Sequence, residues 1–312
     1  MDSPPFIEIE VRGLRKAFGE VTAIDDLTFA ASVGEIFGLV GPDGAGKTTT
    51  IRMLAGILPP DAGAIRVGGC DVVADPESVK TRISYMPQRF GLYEDLTVDE
   101  NLRFYADLFA VTRREREHRS AELLRACSMS EFRHRLARNL SGGMKQKLGL
   151  ACALIHTPRV LLLDEPTTGV DPVSRREFWA MLYSLLGQGV TVLVSTSYLD
   201  EAERCHRLAL LHEGRLLICD EPAKLKARFS ASVLSVISPE AQRVKSRLTG
   251  DDGIANAIVV GDSVHLFVDE AGRRLPQVRA RLEADGIPYD AIEQEPPTIE
   301  DFFVQSLEGT AR

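Results

Sequence analysis

Residues Gly41, Pro42, Asp43, Gly44, Ala45, Gly46, Lys47, Thr48 and Thr49 carry the spacing G-x-x-x-x-G-K-[ST]. That spacing builds a loop around a phosphate chain. Its glycines let consecutive backbone N–H groups turn inward on the anion, Lys47 reaches the outer phosphates as a point charge, and the Thr48 hydroxyl can ligate Mg²⁺. A helix-forming run opens at Thr48 and aims the positive end of its dipole at the same anion. The chemistry implied is that of a nucleoside triphosphate.

Two further groups of residues bear on that chemistry. The apolar run 160–163 ends in Asp164 and Glu165, and ligand sites of open α/β sheets lie at the carboxyl ends of strands. Asp164 suits the Mg²⁺ shell, usually through water, and Glu165 can orient or deprotonate an attacking water. A helix N-cap pair following a strand is the structural alternative. Upstream, Ser141, Gly142 and Gly143 precede a helical pattern over 144–155. Their hydroxyl and backbone N–H groups at a helix N-terminus make a second anion site, although a capped loop-to-helix junction has the same composition.

The elements that must position these groups follow from periodicity. Segments 36–40, 160–163 and 190–194 are short, nearly continuous apolar runs, as expected of parallel strands covered on both faces. Segments 6–11 and part of 27–31 alternate, as half-buried strands of an antiparallel layer do. Between residues 92 and 153 the chain becomes helical and charge-rich, with apolar residues at helical spacing over 99–109 and 115–127. This predicts an inserted helical subdomain, and the Arg-rich run 113–119, interrupted by Glu115 and Glu117, reads as its solvated face. After residue 230 the pattern resets to strands at 233–237 and within 257–268 and an amphipathic helix at 275–284. The expected fold is α/β, with a small C-terminal α+β domain.

Bulk properties narrow the function. The 312 residues carry a net charge of −8, so no global basic field favours nucleic acid or an anionic membrane surface. The five cysteines are scattered without C-x-x-C spacing, which suggests reduced thiols rather than a disulfide framework or a zinc site. No apolar run approaches the length of about 20 residues that spans a bilayer, and the acidic, Pro-rich start does not read as a secretory signal. Any membrane role is expected to run through a partner.

The three motifs, in this order and spacing, resemble those of ABC-type ATPases over residues 6 to about 225. The resemblance implies a P-loop NTPase of ABC type with an antiparallel β subdomain and an inserted helical subdomain, binding ATP and Mg²⁺. It implies head-to-tail dimers in which Ser141, Gly142 and Gly143 clasp the γ-phosphate of ATP held by the partner's loop. Gln88, in Tyr85-Met86-Pro87-Gln88, is similar to the family's Q-loop glutamine, a Mg²⁺ ligand coupling the core to the helical subdomain. Asp171 matches the D-loop that crosses the dimer interface, although Gly-x-Asp-Pro is also an ordinary turn. Phe18 matches the aromatic that stacks on adenine, with a core Phe as the competing reading.

One position departs from the family. Tyr198 stands where the family usually has a His that contacts the γ-phosphate and positions the Glu. A phenol stays neutral and donates one hydrogen bond, but it does not carry positive charge near neutrality as imidazole can. His206 lies about 12 Å further along a helix axis and does not substitute. His156 and His212 read as structural.

Asp43, the stretch 86–98, 144–152 and the Tyr198 segment together resemble the first half of tandem exporter ATPases that work with ABC-2-type membrane subunits. The segment 295–303 resembles the end of the C-terminal domain of many drug-exporter ATPases. The expected organisation is an ATP-binding domain over 1–230, with its helical subdomain at about 89–156, and an accessory domain over 231–312. The expected function is that of an exporter ATPase subunit, cytoplasmic and peripheral on the inner face of the membrane. It would drive an ABC-2-type transmembrane permease in drug or other hydrophobic efflux. Its second ATP-binding subunit would be a copy of itself or a His-bearing ATPase, with no nucleic acid involved. The alternative is an ATP-clamping half-site with little hydrolysis of its own. A soluble ABC ATPase of translation or repair fits less well, because this chain holds one nucleotide domain and no long coiled coil.

Overall fold

The computed structural model describes residues 6–229 and 231–310, with side chains up to residue 306. Two compact units divide between Glu221 and Pro222, upstream of the 230/231 boundary expected from sequence. The reason is local: the short helix that opens the second unit packs on the last one.

In the first unit the long strands β1 (Ile7–Phe18) and β2 (Val21–Ser32) form an antiparallel sheet with β4 (Ala62–Val67) and β5 (Cys70–Asp71), in the order β2-β1-β4-β5. A second sheet contains β3 (Ile36–Val40), β6 (Ile83–Met86), β7 (Val160–Asp164), β8 (Thr191–Thr196), β9 (Arg207–His212) and β10 (Arg215–Asp220), ordered β10-β9-β3-β8-β7-β6. All its pairings are parallel except the edge hairpin of β9 with β10. Every residue of β3, β7 and β8 is buried, as their unbroken apolar runs predict.

Alternation sorts those side chains into two cores. Ile36, Leu161, Leu163, Val192 and Val194 face one, whereas Phe37, Leu39, Leu162 and Leu193 face the other. The second core holds α1 (Lys47–Leu54) and the antiparallel sheet, with Phe29 stacked on Phe37 at 5.2 Å. The short helix α2 (Pro76–Lys80) leads into β6. The first core holds α3 (Val98–Leu108), α4 (Arg113–Ala126), α5 (Gly142–Leu154) and α6 (Pro172–Leu186).

Between β6 and β7, α3 and α4 each begin with a capping box, Thr97 with Glu100 and Thr112 with Glu115. Such reciprocal bonds satisfy backbone donors that a helix start leaves open. Helix α5 begins at Gly142, two residues before the apolar pattern does, because the Ser141 hydroxyl caps it by accepting from the Met144 N–H at 3.3 Å. Helix α7 (Leu199–Ala202) follows β8. The five cysteines are unpaired, and burial pushes the Cys127 thiol up to about 12.

The second unit is an antiparallel sheet of β11 (Ser232–Ile237), β12 (Ile254–Val260), β13 (Ser263–Val268) and β14 (Ala291–Glu295), ordered β12-β13-β11-β14. Its helices are α8 (Pro222–Ala227), α9 (Ala241–Leu248), α10 (Ala271–Ala284) and α11 (Ile299–Thr310). The stretch 257–268 is a hairpin turning at Gly261, which adopts φ 62. Helix α10 starts a turn earlier than 275 despite Pro276, because Arg274 is locked to Asp269 at 2.7 Å beside its first turn.

Candidate functional site

The loop after β3 and the first turn of α1 build the site's floor. Gly46, the residue before α1, lies at φ 98, a conformation that costs a residue with a Cβ one or two kcal/mol, so about that much favours glycine there. A Cβ at Gly41 would collide with the Leu211 carbonyl. These two glycines let the chain turn back tightly enough for Lys47 to reach its own loop: the ammonium donates to the carbonyls of Gly41 at 2.8 Å and Pro42 at 3.0 Å. Its third partner is Glu165, at 3.1 Å.

The acidic residues arrive from β7. The Thr48 hydroxyl donates to Asp164 Oδ1 at 3.0 Å, and the Ser195 hydroxyl donates to the same oxygen at 2.8 Å. Glu165 occupies the left-handed region with φ 47, and its N–H donates to Ser195 Oγ at 3.0 Å and Ser195 O at 3.2 Å. Strain of this kind persists where surrounding bonds over-determine it. The Glu165 carboxylate accepts from Gln88 Nε2 at 3.1 Å and from Thr168 Oγ1 at 3.4 Å. The Tyr85 phenol, preceding Gln88, is pushed up by burial and by the Asp164 carboxylate.

These residues surround one open cavity of about 510 Å³, lined by Asp43, Gly44, Gly46, Lys47, Thr48, Thr49, Gln88, Glu165, Thr168, Ser197 and Tyr198 together with Ala23. Tyr198 precedes α7, and its N–H donates to Thr196 Oγ1 at 3.0 Å. Thr48, Asp164 and the Gln88 amide oxygen form an all-oxygen donor set that fits a hard divalent cation. Among the described residues no cluster of three His, Cys, Asp or Glu could enclose a metal unaided, so phosphate oxygens and water would complete the shell.

Other sequence-selected residues form a second group. A Cβ at Gly143 would collide with Ser174, and Asp171 caps α6 by accepting from the N–H groups of Val173 at 3.1 Å and Ser174 at 2.9 Å. The Ser174 amide, followed by the other bonds at this turn, holds the Asp171 carboxyl below its ordinary range. Ser141 and Gly142 are exposed, and neither they nor Gly143 and Asp171 line the phosphate-loop cavity. Phe18 is half exposed rather than in the core, with Lys16 Nζ 5.7 Å from its ring centroid, and does not line the cavity either.

Sequence reasoning passed over Ser195, which touches both acids, and the buried Glu201. Ser195 is a polar residue near the end of an apolar strand, which is the available signal, whereas Glu201 sits in the short acidic helix that follows. His206 is structural: its Nδ1 accepts from the Ile36 N–H at 3.2 Å. His156 stacks on Phe109 at 3.7 Å, and burial lowers its pKa.

A parallel sheet with a phosphate loop after one strand, two acids after the next but one and an inserted helical segment defines an ABC-type nucleotide-binding domain. Residues 24–168 match the family model described as "ABC transporter". The chain is 45% identical over 305 residues to the probable multidrug ABC transporter ATP-binding protein YbhF of Escherichia coli (strain K12), covering 96% of this chain and 52% of that protein. It is 40% identical over 243 residues to the daunorubicin/doxorubicin resistance ATP-binding protein DrrA of Streptomyces peucetius, covering 78% and 74%. It is 37% identical over 281 residues to the Nod factor export ATP-binding protein I of Paraburkholderia xenovorans (strain LB400), covering 89% and 90%. A solved ATP-binding subunit of an ABC transporter superposes with TM-score 0.65 at 32% identity, over 71% of this chain and 92% of that one. The chain belongs to the ABC transporter ATP-binding proteins. It spans about half the length of the multidrug relative.

Proposed function

We propose that this chain is the ATP-binding and ATP-hydrolysing subunit of an ABC exporter. The observation that carries the reading is the convergence of Lys47, Thr48, Gln88, Glu165 and Tyr198 on one cavity. Lys47 is fixed by two loop carbonyls, so Glu165 is the partner a phosphate chain exchanges with. Backbone N–H groups of the phosphate loop and the dipole of α1 would hold the phosphates. Thr48, Asp164 and Gln88 would hold Mg²⁺, which when bound supplies charge neutralisation across the outer phosphates. Released from Lys47, Glu165 orients water and takes its proton, while Ser195 holds the Asp164 carboxylate and the Glu165 backbone in place. The Tyr198 hydroxyl donates one neutral hydrogen bond toward the outer phosphate.

The site is completed by a second ATP-binding subunit. Exposed Ser141 and Gly142 lie outside their own cavity, a placement suited to closing the cavity of a facing copy or of a His-bearing relative. The membrane partner is an ABC-2-type permease, engaged near Gln88 and the helical segment, and the cargo is a drug or another hydrophobic compound. No helix among the described residues is long and apolar enough to cross a membrane, in keeping with a peripheral place on the inner face of the membrane.

Steady-state MgATPase turnover of the purified chain tests the reading. Lys47→Ala should abolish ATP binding, and Glu165→Gln should retain binding while turnover falls by about 10²- to 10⁴-fold. Absence of ATP binding in the folded wild type would overturn it. Binding with equal, negligible turnover in wild type and Glu165→Gln would favour the clamping half-site, and rescue by Tyr198→His would assign the defect to the missing imidazole.

A further inference from the structure

Tyr198 is held in an unusual way. Arg175, in the first turn of α6, lays its guanidinium over the Tyr198 ring with Cζ 4.4 Å from the centroid. Its Nε lies 3.6 Å from Glu201 Oε1, and Nη1 lies 3.7 Å from Asp200 Oδ2. That buried Nε makes no hydrogen bond, so charge and the ring face hold the guanidinium. Glu201 is wholly buried and accepts from the hydroxyls of Thr167 at 2.6 Å and Thr196 at 2.8 Å. A buried carboxylate needs a counter-ion, and Arg175 faces it.

The arrangement fixes the tyrosine from two sides. Thr196 pins its backbone N–H and Arg175 covers its ring. A planar guanidinium can face a π system and a carboxylate at once, which a lysine ammonium does less well. Because the anchor is the ring face, it does not engage the O–H of Tyr198, a residue that lines the cavity. The same helical turn reaches the second group of residues, since Asp171 caps it and Ser174 abuts Gly143.

We infer that Arg175 is a positioning residue for Tyr198: its guanidinium, braced by Glu201, clamps the ring so that the phenol stays on the wall of the phosphate cavity. The clamp also ties that wall to the 141–143 segment through one turn of α6. The kinetic part rests on the ATPase reading; the clamp itself does not.

The test uses the full chain labelled with 3-fluorotyrosine, which reports all six tyrosines by ¹⁹F NMR, with the Tyr198 signal assigned by its loss in Tyr198→Leu. Arg175→Met should move the Tyr198 signal and leave the other five in place. Turnover should fall about three- to tenfold, the range a desolvated cation–π contact supports, with the KM for ATP changed by less than about twofold. In the Tyr198→Leu background the Arg175→Met effect should vanish, and Arg175→Lys should recover part of the loss. An unmoved Tyr198 signal in a folded Arg175→Met protein would overturn the inference, as would an equal effect of Arg175→Met in both backgrounds. If Arg175→Met does not fold, Arg175→Gln carries the NMR test with the same criterion. A chain that turns over no ATP would sink the ATPase reading, and the ¹⁹F signal would still decide the clamp.

Discussion

Each of the two units pairs oppositely charging groups, and the two pairs sit in different surroundings. In the first, Lys47 and Glu165 meet at 3.1 Å on the wall of an open cavity. The Glu165 backbone is strained, and its carboxylate is shared among Lys47, Gln88 and Thr168. In the second, His265 and Asp301 meet at 2.9 Å, almost wholly buried. Asp301 is saturated there, accepting from the N–H and the hydroxyl of Thr298 while its own N–H donates back to Thr298 Oγ1. That reciprocal cap starts α11. A buried charge whose partners can be exchanged, on a strained backbone beside a cavity, is arranged for chemistry; one closed off by local capping is arranged for folding.

The largest test of this contrast is Ser195→Ala. It removes the bond to Asp164 and one acceptor of the Glu165 N–H. Small misplacements of catalytic groups are costly, so turnover at saturating ATP should fall about 10- to 100-fold, while stability drops by only about 1–2 kcal/mol. Unchanged turnover would show that strain at Glu165 does not depend on Ser195.

The second unit should respond to pH rather than to ATP. The bond to Asp301, reinforced by Glu295 and Glu300, raises the His265 pKa. Burial pushes Asp301 up, yet its bonds to His265 and Thr298 hold it below the ordinary range. The His265 contribution is therefore present below its ordinary value of 6.5 and lost as pH rises through the raised folded value. The Asp301 contribution is present above 3.8 and lost as pH falls through the lowered one. His265→Gln should cost about 2 kcal/mol of stability near pH 6 and clearly less near pH 9, as read by urea unfolding. A gap that does not depend on pH would mean the pair is not ionic.

The smallest effect is expected at Thr112→Ala, which removes one capping box at the start of the charge-rich α4. Stability should drop by about 1 kcal/mol with ATP turnover unchanged. A change in turnover would connect α4 to the site and blur the contrast.

Much of the fold was legible because its elements have local causes. The strands 36–40 and 160–163 announce themselves as apolar runs, and the capping boxes of α3 and α4 are written in residues three apart. Helix α5 starts two residues before its apolar period does, since glycines carry no hydrophobic period and the Ser141 cap sets the start. The hairpin β9–β10 was not anticipated, because its ladder joins residues whose pattern alone does not separate strand from loop. At the site, the phosphate loop and the acids after β7 were readable from spacing. Glu201 and Arg175 were not, since nothing local distinguishes them from surface polar residues, and Ser195 offers only its place near the end of an apolar strand.

The sequence by itself determined the phosphate loop, the buried strands within 36–40, 160–163 and 190–194, and the absence of an imidazole at position 198, because each depends on residue type at short range. Only the tertiary structure decided that Glu165 reaches Lys47 across 118 positions of chain and that Arg175 faces both the Tyr198 ring and Glu201. Such contacts are made by side chains on separate elements, and the parallel sheet that brings those elements together is specified by the whole core rather than by any one segment.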